Sequence, residues 1–600
     1  MERFGFEKSR DGMMALVGAM LFAYVAIRAT RVPITHDEAL TYFSFVTHSF
    51  RTIVSVPSSW SANNHVLNSL LARLALLAFG PSEWALRLPN VLAFCLYLAC
   101  GMALCRRYSS AVSSACAFLL LTANPFLLEF FSLSRGYGLG LAFLSAALLQ
   151  FIRAEEKPPS ARRELFVGGL CAFLAVLANL AFLLPVLALL IVSAARNWND
   201  VRRWGPSLAV APLLVAAVLG PRIVALQRAG QFYAGGSNGF LTDTAGSLVR
   251  MTLGGSEGGA FAIPVLGGVA ASLLALGLVG AVVPSGAGGR RIARVVGSVL
   301  VLAAAGSAVQ HAFVGTPYLE DRTAIFFLPL LALSAGGGLD ALGAASWRAV
   351  RTAGRGFAVV LTIIAALPLI RSANFDHTTI WQYDADVRRV VDDLTALHQE
   401  GLERIRLGGN WVFGPALNFY RETRRLAWLE PIIHNDPLDR CNVVLTSGYE
   451  HIPIPRGEFS ERRGYPLSGN ILLVRIRPAG SGEPALEDTC LTGSIDTPVG
   501  GETVAGDLKV RGWARVPGED LRVTVRLDAV ARENARVSRV SRPDVAAAIP
   551  SLGDCSGAGY EAAIPFRSGD EGRHMIEVVF TSVDGRERHY PVRSFVWKRN

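Results

Sequence analysis

A chain of 600 residues could form several soluble domains, but 51% of its residues are hydrophobic and only 18% are charged. An average soluble domain has about 25% charged residues. The apolar excess lies in blocks before about residue 373, and the net charge of +10 comes from basic residues in short loops between these blocks. Basic loops of this kind set membrane topology. The composition therefore argues against a nucleic-acid-binding protein and predicts a polytopic α-helical membrane protein.

Ten apolar runs follow one another in this first part of the chain. A spanning helix needs about 20 apolar residues, and the candidate runs are Met13–Ile27, Trp84–Leu104, Ala111–Phe131, Gly138–Ile152, Leu165–Ala194, Pro206–Val224, Phe261–Val283, Ile292–Phe313, Thr323–Leu342 and Gly356–Ile370. The first run lacks a clear cleavage site, so we interpret it as an uncleaved helix. The run Leu165–Ala194 has arginines beyond both ends, which predicts two helices that turn near Asn179. The sequence therefore predicts about eleven spanning helices.

The run Val66–Gly80 is the difficult case. It is only about 15 residues long, and Arg73 lies in its middle. If this run crossed the membrane, the basic loops at Arg106 and Arg162 would lie outside the cytoplasm. If it does not cross, every strongly basic loop is cytoplasmic. We therefore predict an interfacial helix here, with the N-terminus inside and the C-terminus outside.

Beyond a transmembrane domain of residues 1–373, the sequence predicts two extracytoplasmic domains. Residues 374–483 alternate helix and strand patterns, which favours a small α/β domain. Residues 484–600 contain short alternating runs separated by turns, which favours a β-sandwich. Neither part contains a phosphate-binding glycine loop, a nucleophile elbow or a metal-binding cysteine spacing, so we expect the chemistry in the membrane part. Outside the cytoplasm, Cys490 and Cys555 could form a disulfide.

Unusual polar residues gather at the outer face that this topology defines. Ionisable groups at the membrane edge are costly and tend to be functional. The candidates lie in three outer loops and are His36, Asp37, Glu38, Asn64, His65, Arg135, Tyr137, Tyr318, Glu320, Asp321 and Arg322. Structural explanations also exist for several of them. Thr35 and Glu38 have the spacing of a capping box, Asp37 would favour the helix dipole, and Arg135 and Arg322 could be interfacial residues whose charges reach water.

The order of these features resembles the GT-C superfamily of membrane glycosyltransferases. The nearest likeness is to the bacterial relatives of protein O-mannosyltransferases and lipid A aminoarabinose transferases. It covers about residues 10–375 and rests on the set of segments together: Thr35 to Ala39, Phe79 to Pro89, Arg106-Arg107, Asn124-Pro125, Ser134 to Tyr137, and Glu320 to Arg322 ahead of Pro329. The resemblance implies a GT-C-like fold in the bacterial inner (plasma) membrane, a polyprenyl-phosphate-linked sugar donor and an acceptor outside the cytoplasm.

The family places a catalytic carboxylate in the first outer loop, which corresponds to Asp37, with Glu38 as a possible second acid. The chain departs from the family in two places. Relatives often have His-Pro-Pro where this chain has Asn63-Asn64-His65, and many have an acid near the start of the fourth helix, where this chain has Arg135-Gly136-Tyr137. Glu129 is the nearest acid there. The resemblance therefore leaves a divalent metal open, and no nucleotide cofactor is expected.

The expected chemistry suits these residue types. Glycosyl transfer requires a base for the acceptor hydroxyl, a role for Asp37, and cations for the departing phosphate, a role for Arg135 and Arg322. The remaining outer-face residues are then candidates for substrate binding: His36, Asn64, His65, Tyr137, Tyr318, Glu320 and Asp321.

Two other functions compete with glycosyl transfer. A transporter or flippase for a lipid-linked sugar would need polar residues along a path through the bilayer, whereas the middle of the apolar runs holds mostly Ala, Leu, Val and Gly. A non-catalytic membrane protein could bind glycans through the β-sandwich, but about eleven helices are excessive for an anchor. The glycine-rich outer loop from Gln227 to Gly259 could be a mobile cover for the site or a passive connector.

Overall fold

The computed structural model describes the chain except residues 1, 55–62, 157–160, 229–234, 254–261, 284–285, 433–437, 448–457, 477–491, 498–502, 516–521, 528–529, 532–535, 542–558, 566–571, 582–586 and 599–600. The chain divides into two compact units, Met1–Gln382 and Tyr383–Asn600. The first unit is helical, and the second combines two helices with three sheets.

The helices of the first unit follow the predicted apolar runs. Their bounds are α1 Glu2–Arg31, α2 His36–Thr41, α3 Phe50–Val54, α4 Val66–Phe79, α5 Glu83–Cys105, α6 Ala111–Thr122, α7 Pro125–Phe131, α8 Tyr137–Glu156, α9 Arg162–Ala178, α10 Leu183–Arg196, α11 Val201–Leu208, α12 Val210–Leu214, α13 Gly220–Arg228, α14 Gly246–Thr252, α15 Ala262–Val282, α16 Ala287–Val314, α17 Phe327–Gly343 and α18 Arg348–Ser372. A π-helical turn, Val215–Leu219, joins α12 to α13.

Several of these helices are long and apolar enough to cross a membrane. Within the described residues there are seven, or eight if the bent pair α6 and α7 forms one span. Helices α9, α10 and α15 correspond to the other predicted runs, and the described apolar parts of α10 and α15 are shorter. The protein is thus a multi-pass membrane protein, and the total of about eleven spans stays a prediction.

The run predicted as one helix from Ala111 to Phe131 is broken. Helices α6 and α7 meet at an angle of 61°. Pro125 lacks an N–H and cannot continue α6, so it occupies the first turn of a new helix. Asn124 caps that helix by accepting hydrogen bonds from the amides of Phe126 and Leu127 at 3.0 and 3.2 Å. The bend makes α7 a separate short helix, which carries Glu129.

The predicted turn near Asn179 coincides with a helix boundary. Helix α9 ends at Ala178, and a 3₁₀ turn over Leu180–Phe182 leads into α10. The extended backbone of Asn179 ends the first helix, and its side chain accepts a hydrogen bond from the amide of Ala181 at 2.9 Å. The long apolar run therefore forms two helices, as predicted.

Ion pairs join loops that the charge pattern assigns to the cytoplasmic face. Arg107, after α5, pairs with Glu156 at the end of α8 at 2.7 Å. Arg106 lies 3.1 Å from Asp11, near the start of α1. If α1, α4 and α5 all crossed the membrane, Asp11 and Arg106 would lie on opposite faces. Their contact therefore requires an even number of crossings between them. If α4 is interfacial, only α1 and α5 cross, and this condition is met.

The second unit begins with an α/β arrangement. Its helices are α19 Val387–Gln399 and α20 Gly414–Thr423, and its strands are β1 Leu407–Gly409, β2 Val443–Ser447, β3 Phe459–Tyr465 and β4 Asn470–Arg475. The strands form one sheet in the order β1-β2-β4-β3, in which only the β1–β2 pair is parallel. This agrees with the predicted α/β pattern.

The C-terminal part contains two further sheets. The strands are β5 Thr492–Thr497, β6 Thr503–Ala505, β7 Leu508–Arg515, β8 Arg522–Leu527, β9 Val530–Ala531, β10 Arg536–Val540, β11 Gly559–Ile564, β12 Gly572–Thr581 and β13 Glu587–Lys598. They form the sheets β10-β11-β7-β5 and β6-β13-β12-β8-β9. Leu508 and Tyr560 of the first sheet and Val578 and Trp597 of the second share one buried core. Two sheets that share a core are compatible with a β-sandwich, and a separate domain over residues 484–600 stays a prediction.

The predicted domain boundaries stay predictions. The first compact unit extends to Gln382, so residues 374–382 lie with the helices, whereas the sequence predicts an α/β domain from residue 374. The predicted boundary at 483/484 and both Cys490 and Cys555 lie outside the described residues.

Candidate active site

The first outer loop is organised around the start of α2. The side chain of Thr35 caps the amide of Glu38, and the carboxylate of Glu38 accepts a hydrogen bond from the Thr35 amide at 3.1 Å. This is the predicted capping box. It fixes the first turn of α2, so that the side chains of Asp37 and Glu38 project from the helix in different directions.

Glu38 points into the protein. Its carboxylate pairs with Arg87 of α5 at 2.6 Å and accepts a hydrogen bond from the Ser134 amide at 2.7 Å. Burial opposes its ionisation, but the charge and hydrogen bonds of Arg87, with the amides of Ser134 and Thr35, hold the pKa of Glu38 below its ordinary value. Both carboxylate oxygens are thus occupied and the side chain is wholly buried, which favours a structural role for Glu38 over that of a second acid.

Asp37 points the other way, into a cluster of cations. One of its carboxylate oxygens lies 2.9 Å from the guanidinium of Arg135 and 3.8 Å from that of Arg322. The Asp37 side chain keeps 17% of its surface exposed, while the Arg135 side chain keeps 3%. The structure thus brings together the three residues that the sequence analysis assigned to the reaction.

Arg135 is positioned by a tight approach between two loops. The next residue, Gly136, has a φ of +69°, and a Cβ there would collide with the Ala178 carbonyl and with His65. Only glycine fits this backbone conformation at this contact. Arg135 also donates to the Asp37 carbonyl and to the Thr41 hydroxyl, each at 3.3 Å. These bonds tie the guanidinium to the same helix that carries the carboxylate.

Arg322 comes from the 3₁₀ turn Asp321–Ala324, which precedes α17. Asp321 has a φ of +47°, a strained value for a residue with a side chain, and its amide donates to the Ser247 hydroxyl at 2.9 Å. The left-handed backbone conformation of Asp321 turns the chain so that Arg322 faces Asp37.

His65 lies beside the arginine cluster. Burial, followed by the positive charges of Arg135, Arg322 and Arg222, lowers the pKa of His65 well below 6.5, so the imidazole is neutral. Its Nε2 atom is buried without a hydrogen-bond partner among the described residues. A neutral, unpaired ring nitrogen of this kind is suited to hydrogen-bond a hydroxyl of a substrate. Its ring contacts Tyr137 with the centroids 5.5 Å apart.

Two residues of this site were missed in the sequence analysis. Arg222 belongs to α13 and is buried, with a hydrogen bond of 3.4 Å to the Ile53 carbonyl. Trp381 follows α18, and its ring lies 5.8 Å from the guanidinium carbon of Arg135 and 5.3 Å from that of Arg322. Arg222 sits inside a predicted apolar run, which was a usable signal for function. No pattern in the sequence singled out Trp381.

Several predicted substrate-binding residues have other partners. Asn64 donates to the Ile53 carbonyl and accepts from the Ser69 hydroxyl, so its amide organises the loop before α4. Tyr318 pairs with Gly236 through two backbone hydrogen bonds and stacks on His311 at 4.3 Å. His36 is buried within the first turn of α2.

Glu320 and Asp321 belong to a separate acidic group that also contains Asp243. Burial and then the charges of Asp321 and Asp243 raise the pKa of Glu320, and Arg250 offsets part of this effect. Part of the glycine-rich outer loop is also built into this region, because Asp243 accepts hydrogen bonds from the Asn238 and Gly239 amides at 2.7 and 3.0 Å.

The candidate site does not have the composition of a metal centre. Divalent metal sites need several carboxylate, carbonyl or imidazole ligands around one point. Asp37 is instead surrounded by guanidinium groups, and the described residues contain no group of three or more His, Cys, Asp or Glu side chains that could hold a metal ion. We therefore derive no step through a metal.

Comparisons with known proteins add a likeness of fold. No family model and no curated protein matches the chain. Among solved structures, ArnT from Cupriavidus metallidurans bound to undecaprenyl phosphate is similar, with a TM-score of 0.47 and 13% identity over 78% of this chain and 99% of that chain. The arabinofuranosyltransferase AftD from Mycobacteria is similar with a TM-score of 0.43 and 11% identity over 97% of this chain and 60% of that chain. These are coarse likenesses, and the function proposed below is derived from the residues of this chain.

Proposed function

We propose that the protein is a membrane glycosyltransferase that transfers a sugar from a polyprenyl-phosphate carrier to an acceptor hydroxyl outside the cytoplasm. The observation that carries this proposal is the pairing of Asp37 with Arg135 and Arg322, at 2.9 and 3.8 Å, at one end of the helices. A base and a phosphate-binding cation pair are the two elements that this reaction needs. The residue pattern that resembles GT-C enzymes supports the same function.

The charges of the site favour the leaving group. Three guanidinium groups, those of Arg135, Arg222 and Arg322, surround His65, and Asp37 is the carboxylate paired with two of them. A sugar-linked lipid phosphate carries one negative charge, and the lipid phosphate that departs carries up to about two near pH 7. The excess of positive charge therefore stabilises the product-like charge more than the bound donor, which is the requirement for catalysis.

Asp37 takes the proton of the acceptor. The acceptor oxygen forms a bond to the anomeric carbon, the bond from that carbon to the phosphate oxygen breaks, and its electron pair leaves with the lipid phosphate. The hydroxyl proton moves to the Asp37 carboxylate, which faces the cations and remains partly exposed. A positioned base contributes a factor of about 10² to 10⁴ in rate.

The resting contacts of Asp37 are consistent with this role. Without donor, its carboxylate neutralises part of the charge on Arg135 and Arg322. A phosphate that binds these arginines competes with Asp37 for their N–H groups. Donor binding thus frees the carboxylate for the acceptor hydroxyl, which couples the two substrates.

The surroundings of the site suit a lipid substrate. Helix α4 begins directly after His65 and carries an apolar surface that the protein leaves uncovered. Leu74, Leu77 and Phe79 are each more than half exposed. A helix of this kind, about 21 Å long at 1.5 Å per residue, is short for the bilayer and suits its interface. We propose that the polyprenyl chain lies in the membrane beside α4 while its phosphate reaches the arginines.

The arrangement disfavours the transporter hypothesis. The buried ion pairs Arg87–Glu38, Arg28–Glu129 and Arg135–Asp37 lie in the parts of the helix bundle next to the outer loops. A transporter would instead need polar groups along a path through the bilayer. These ion pairs concentrate charge at one face, which favours chemistry there.

The decisive experiment uses the full-length protein in proteoliposomes, with an undecaprenyl-phosphate-linked sugar as the donor and cell-envelope glycans and lipids as the acceptor. Donor consumption is measured for the wild type and for Asp37→Asn, which keeps the shape of the side chain and removes its charge. We expect turnover in the wild type and a loss of at least about 100-fold in the variant. Asp11→Asn, at the opposite end of α1, is the matched control and should keep normal turnover.

Two results would contradict the proposal. Normal consumption of the donor by Asp37→Asn would show that the carboxylate of Asp37 takes no part in the reaction. Transfer of the intact donor across the bilayer, without cleavage of its phosphate–sugar bond, would favour the transporter instead.

A further inference from the structure

A short segment after α18, residues 373–381, is tied back onto the helices of the first unit; we refer to it as the junction segment. Arg28 of α1 donates to the carbonyl and to the side-chain oxygen of Asn374, each at 2.8 Å, and to the His377 carbonyl at 2.6 Å. The Arg28 side chain keeps only 2% of its surface exposed. A buried guanidinium with several carbonyl partners fixes the backbone that it contacts.

Glu129 of α7 holds the other end of this segment. Its carboxylate pairs with Arg28 at 3.1 Å and accepts hydrogen bonds from the amide and the hydroxyl of Thr379 at 3.0 and 3.2 Å. The bend between α6 and α7 presents Glu129 to this partner. Glu129 was the nearest acid to the position where relatives carry a second one, but its oxygens are used to hold the junction segment.

Trp381 ends the junction segment against the two arginines of the candidate site. Its ring lies 5.3 Å from the guanidinium carbon of Arg322 and 5.8 Å from that of Arg135, and the residue is 3% exposed. Its amide donates to the Thr378 hydroxyl at 3.2 Å. Guanidinium groups bind aromatic faces with their planes and leave the N–H groups at their edges free.

We propose that the junction segment is a positioning element for the donor phosphate, in which Arg28 and Glu129 hold Trp381 against both donor-binding arginines. Trp381 shields the two guanidinium groups from water on one side and limits their rotation. Their N–H groups are then directed toward the position of the phosphate. Trp381 acts through Arg135 and Arg322 and is a positioning residue, and this inference rests on the proposed function.

The first test compares ring and volume at Trp381. In Trp381→Leu the apolar volume is partly kept and the aromatic face is lost, so we expect the KM for the undecaprenyl-phosphate-linked donor to rise about tenfold, with kcat within about twofold. Trp381→Phe keeps a weaker aromatic face and should raise KM only about two- to threefold. Trp347→Leu, at an exposed tryptophan before α18, is the matched control and should leave KM unchanged.

A purely structural role predicts a different pattern. Less folded protein, with normal KM and kcat for each folded molecule of Trp381→Leu, would overturn the proposal. So would equal KM values for the Leu and Phe variants. The wild type serves as the reference for the proposed function itself: if it does not bind undecaprenyl phosphate, that function fails, and only the test described next remains informative.

The second test addresses the anchor and does not depend on turnover. In Glu129→Gln the ion pair with Arg28 is lost, and we expect faster hydrogen exchange in peptides covering residues 374–381. Thr378→Val removes only the hydroxyl that accepts from the Trp381 amide, and it is the milder variant if Glu129→Gln does not fold. Unchanged exchange in both variants would contradict the anchoring role.

The two tests are joined by a double variant. Because Glu129 acts through Trp381, Glu129→Gln alone should weaken binding of undecaprenyl phosphate. In a Trp381→Leu background the same substitution should cause little further loss of binding. Fully additive losses would show that the two residues act independently, which would also overturn the proposal.

Discussion

Adjacent residues have opposite roles at the start of α2. Asp37 and Glu38 are both acidic, yet one faces the arginines of the site and the other is buried against Arg87. The capping-box spacing indicated a structural role for Glu38, but the sequence did not identify its partner. Arg87 lies 49 positions further along the chain, and only the packing of α5 against α1 brings the two together.

Glu38→Gln should affect stability more than chemistry. The substitution leaves Arg87 buried without its counter-charge, and breaking a buried pair in this way costs about 3–5 kcal/mol. We expect a clearly lower melting temperature and less folded protein, with substantial transfer activity for each folded molecule. Thermal unfolding and activity of the purified variant test this. If Glu38→Gln loses as much activity as Asp37→Asn at normal protein levels, the division of roles is wrong.

The arginines of the site should determine donor affinity. A hydrogen bond to a charged group contributes about 1.5–3 kcal/mol, so Arg135→Ala and Arg322→Ala should each weaken binding of undecaprenyl phosphate roughly 10- to 100-fold. Arg222→Ala should weaken it as well if the third guanidinium contributes to the same field. Binding is measured with the lipid phosphate in nanodiscs. Normal affinity and turnover in both the Arg135 and Arg322 variants would make these residues interfacial side chains without a role in catalysis.

His65 should make the protein less stable in acid. Because the pKa of His65 in the folded protein lies well below 6.5, the unfolded chain binds a proton that the folded protein does not. Stability is therefore full above about pH 6.5 and falls as the pH drops below this value. Protonation of Glu38 affects stability only below about pH 4.5, because its pKa in the folded protein is lowered from that ordinary value. Melting temperatures between pH 8 and 5 should fall less steeply for His65→Gln, and identical slopes would contradict this.

At the scale of elements, apolar runs predicted the long helices well, because a spanning helix depends on the average character of about 20 residues. The runs Trp84–Leu104 and Ile292–Phe313 lie within α5 and α16. The bend between α6 and α7 was not predicted, although Asn124-Pro125 contained the signal for it. The role of residues 374–382 could not be predicted, because it depends on tertiary contacts with Arg28 and Glu129 and not on local pattern.

The loop between α7 and α8 contains Gly136, which allows a prediction at the scale of elements. Gly136 combines a φ of +69° with a close approach to the Ala178 carbonyl and His65. Gly136→Ala should displace Arg135 and His65 and reduce both donor affinity and stability. Gly356→Ala is the control: this glycine lies in α18 with no neighbour near its Cβ position, and alanine there should be neutral or stabilising by about 0.5–1 kcal/mol. Normal donor binding by Gly136→Ala would show that the close approach is not needed.

At the scale of the whole molecule, the contacts follow the sidedness that the charge pattern predicts. Asp37 precedes α4 in the chain, and Arg135 follows it after α5 and the bent pair α6–α7. If α4 crossed the membrane, these two residues would lie at opposite faces, but their side chains are 2.9 Å apart. The positive-inside pattern predicts the same arrangement from sequence alone, because loop charge is a local property, and which face lies outside the cytoplasm stays a prediction. Which side chains pair with each other could not be predicted from the sequence, because it depends on how the helices pack.

Thiol labelling in intact cells tests this topology directly. Asn199, after α10, and Ser346, before α18, are exposed and are predicted to be cytoplasmic, while Ser237, in the loop after α13, is exposed and predicted to lie outside. With the native cysteines replaced, an impermeant reagent should label Ser237→Cys and spare Asn199→Cys and Ser346→Cys until the cells are permeabilised. The reverse pattern would place the basic loops outside, and the site with Asp37 would then face the cytoplasm.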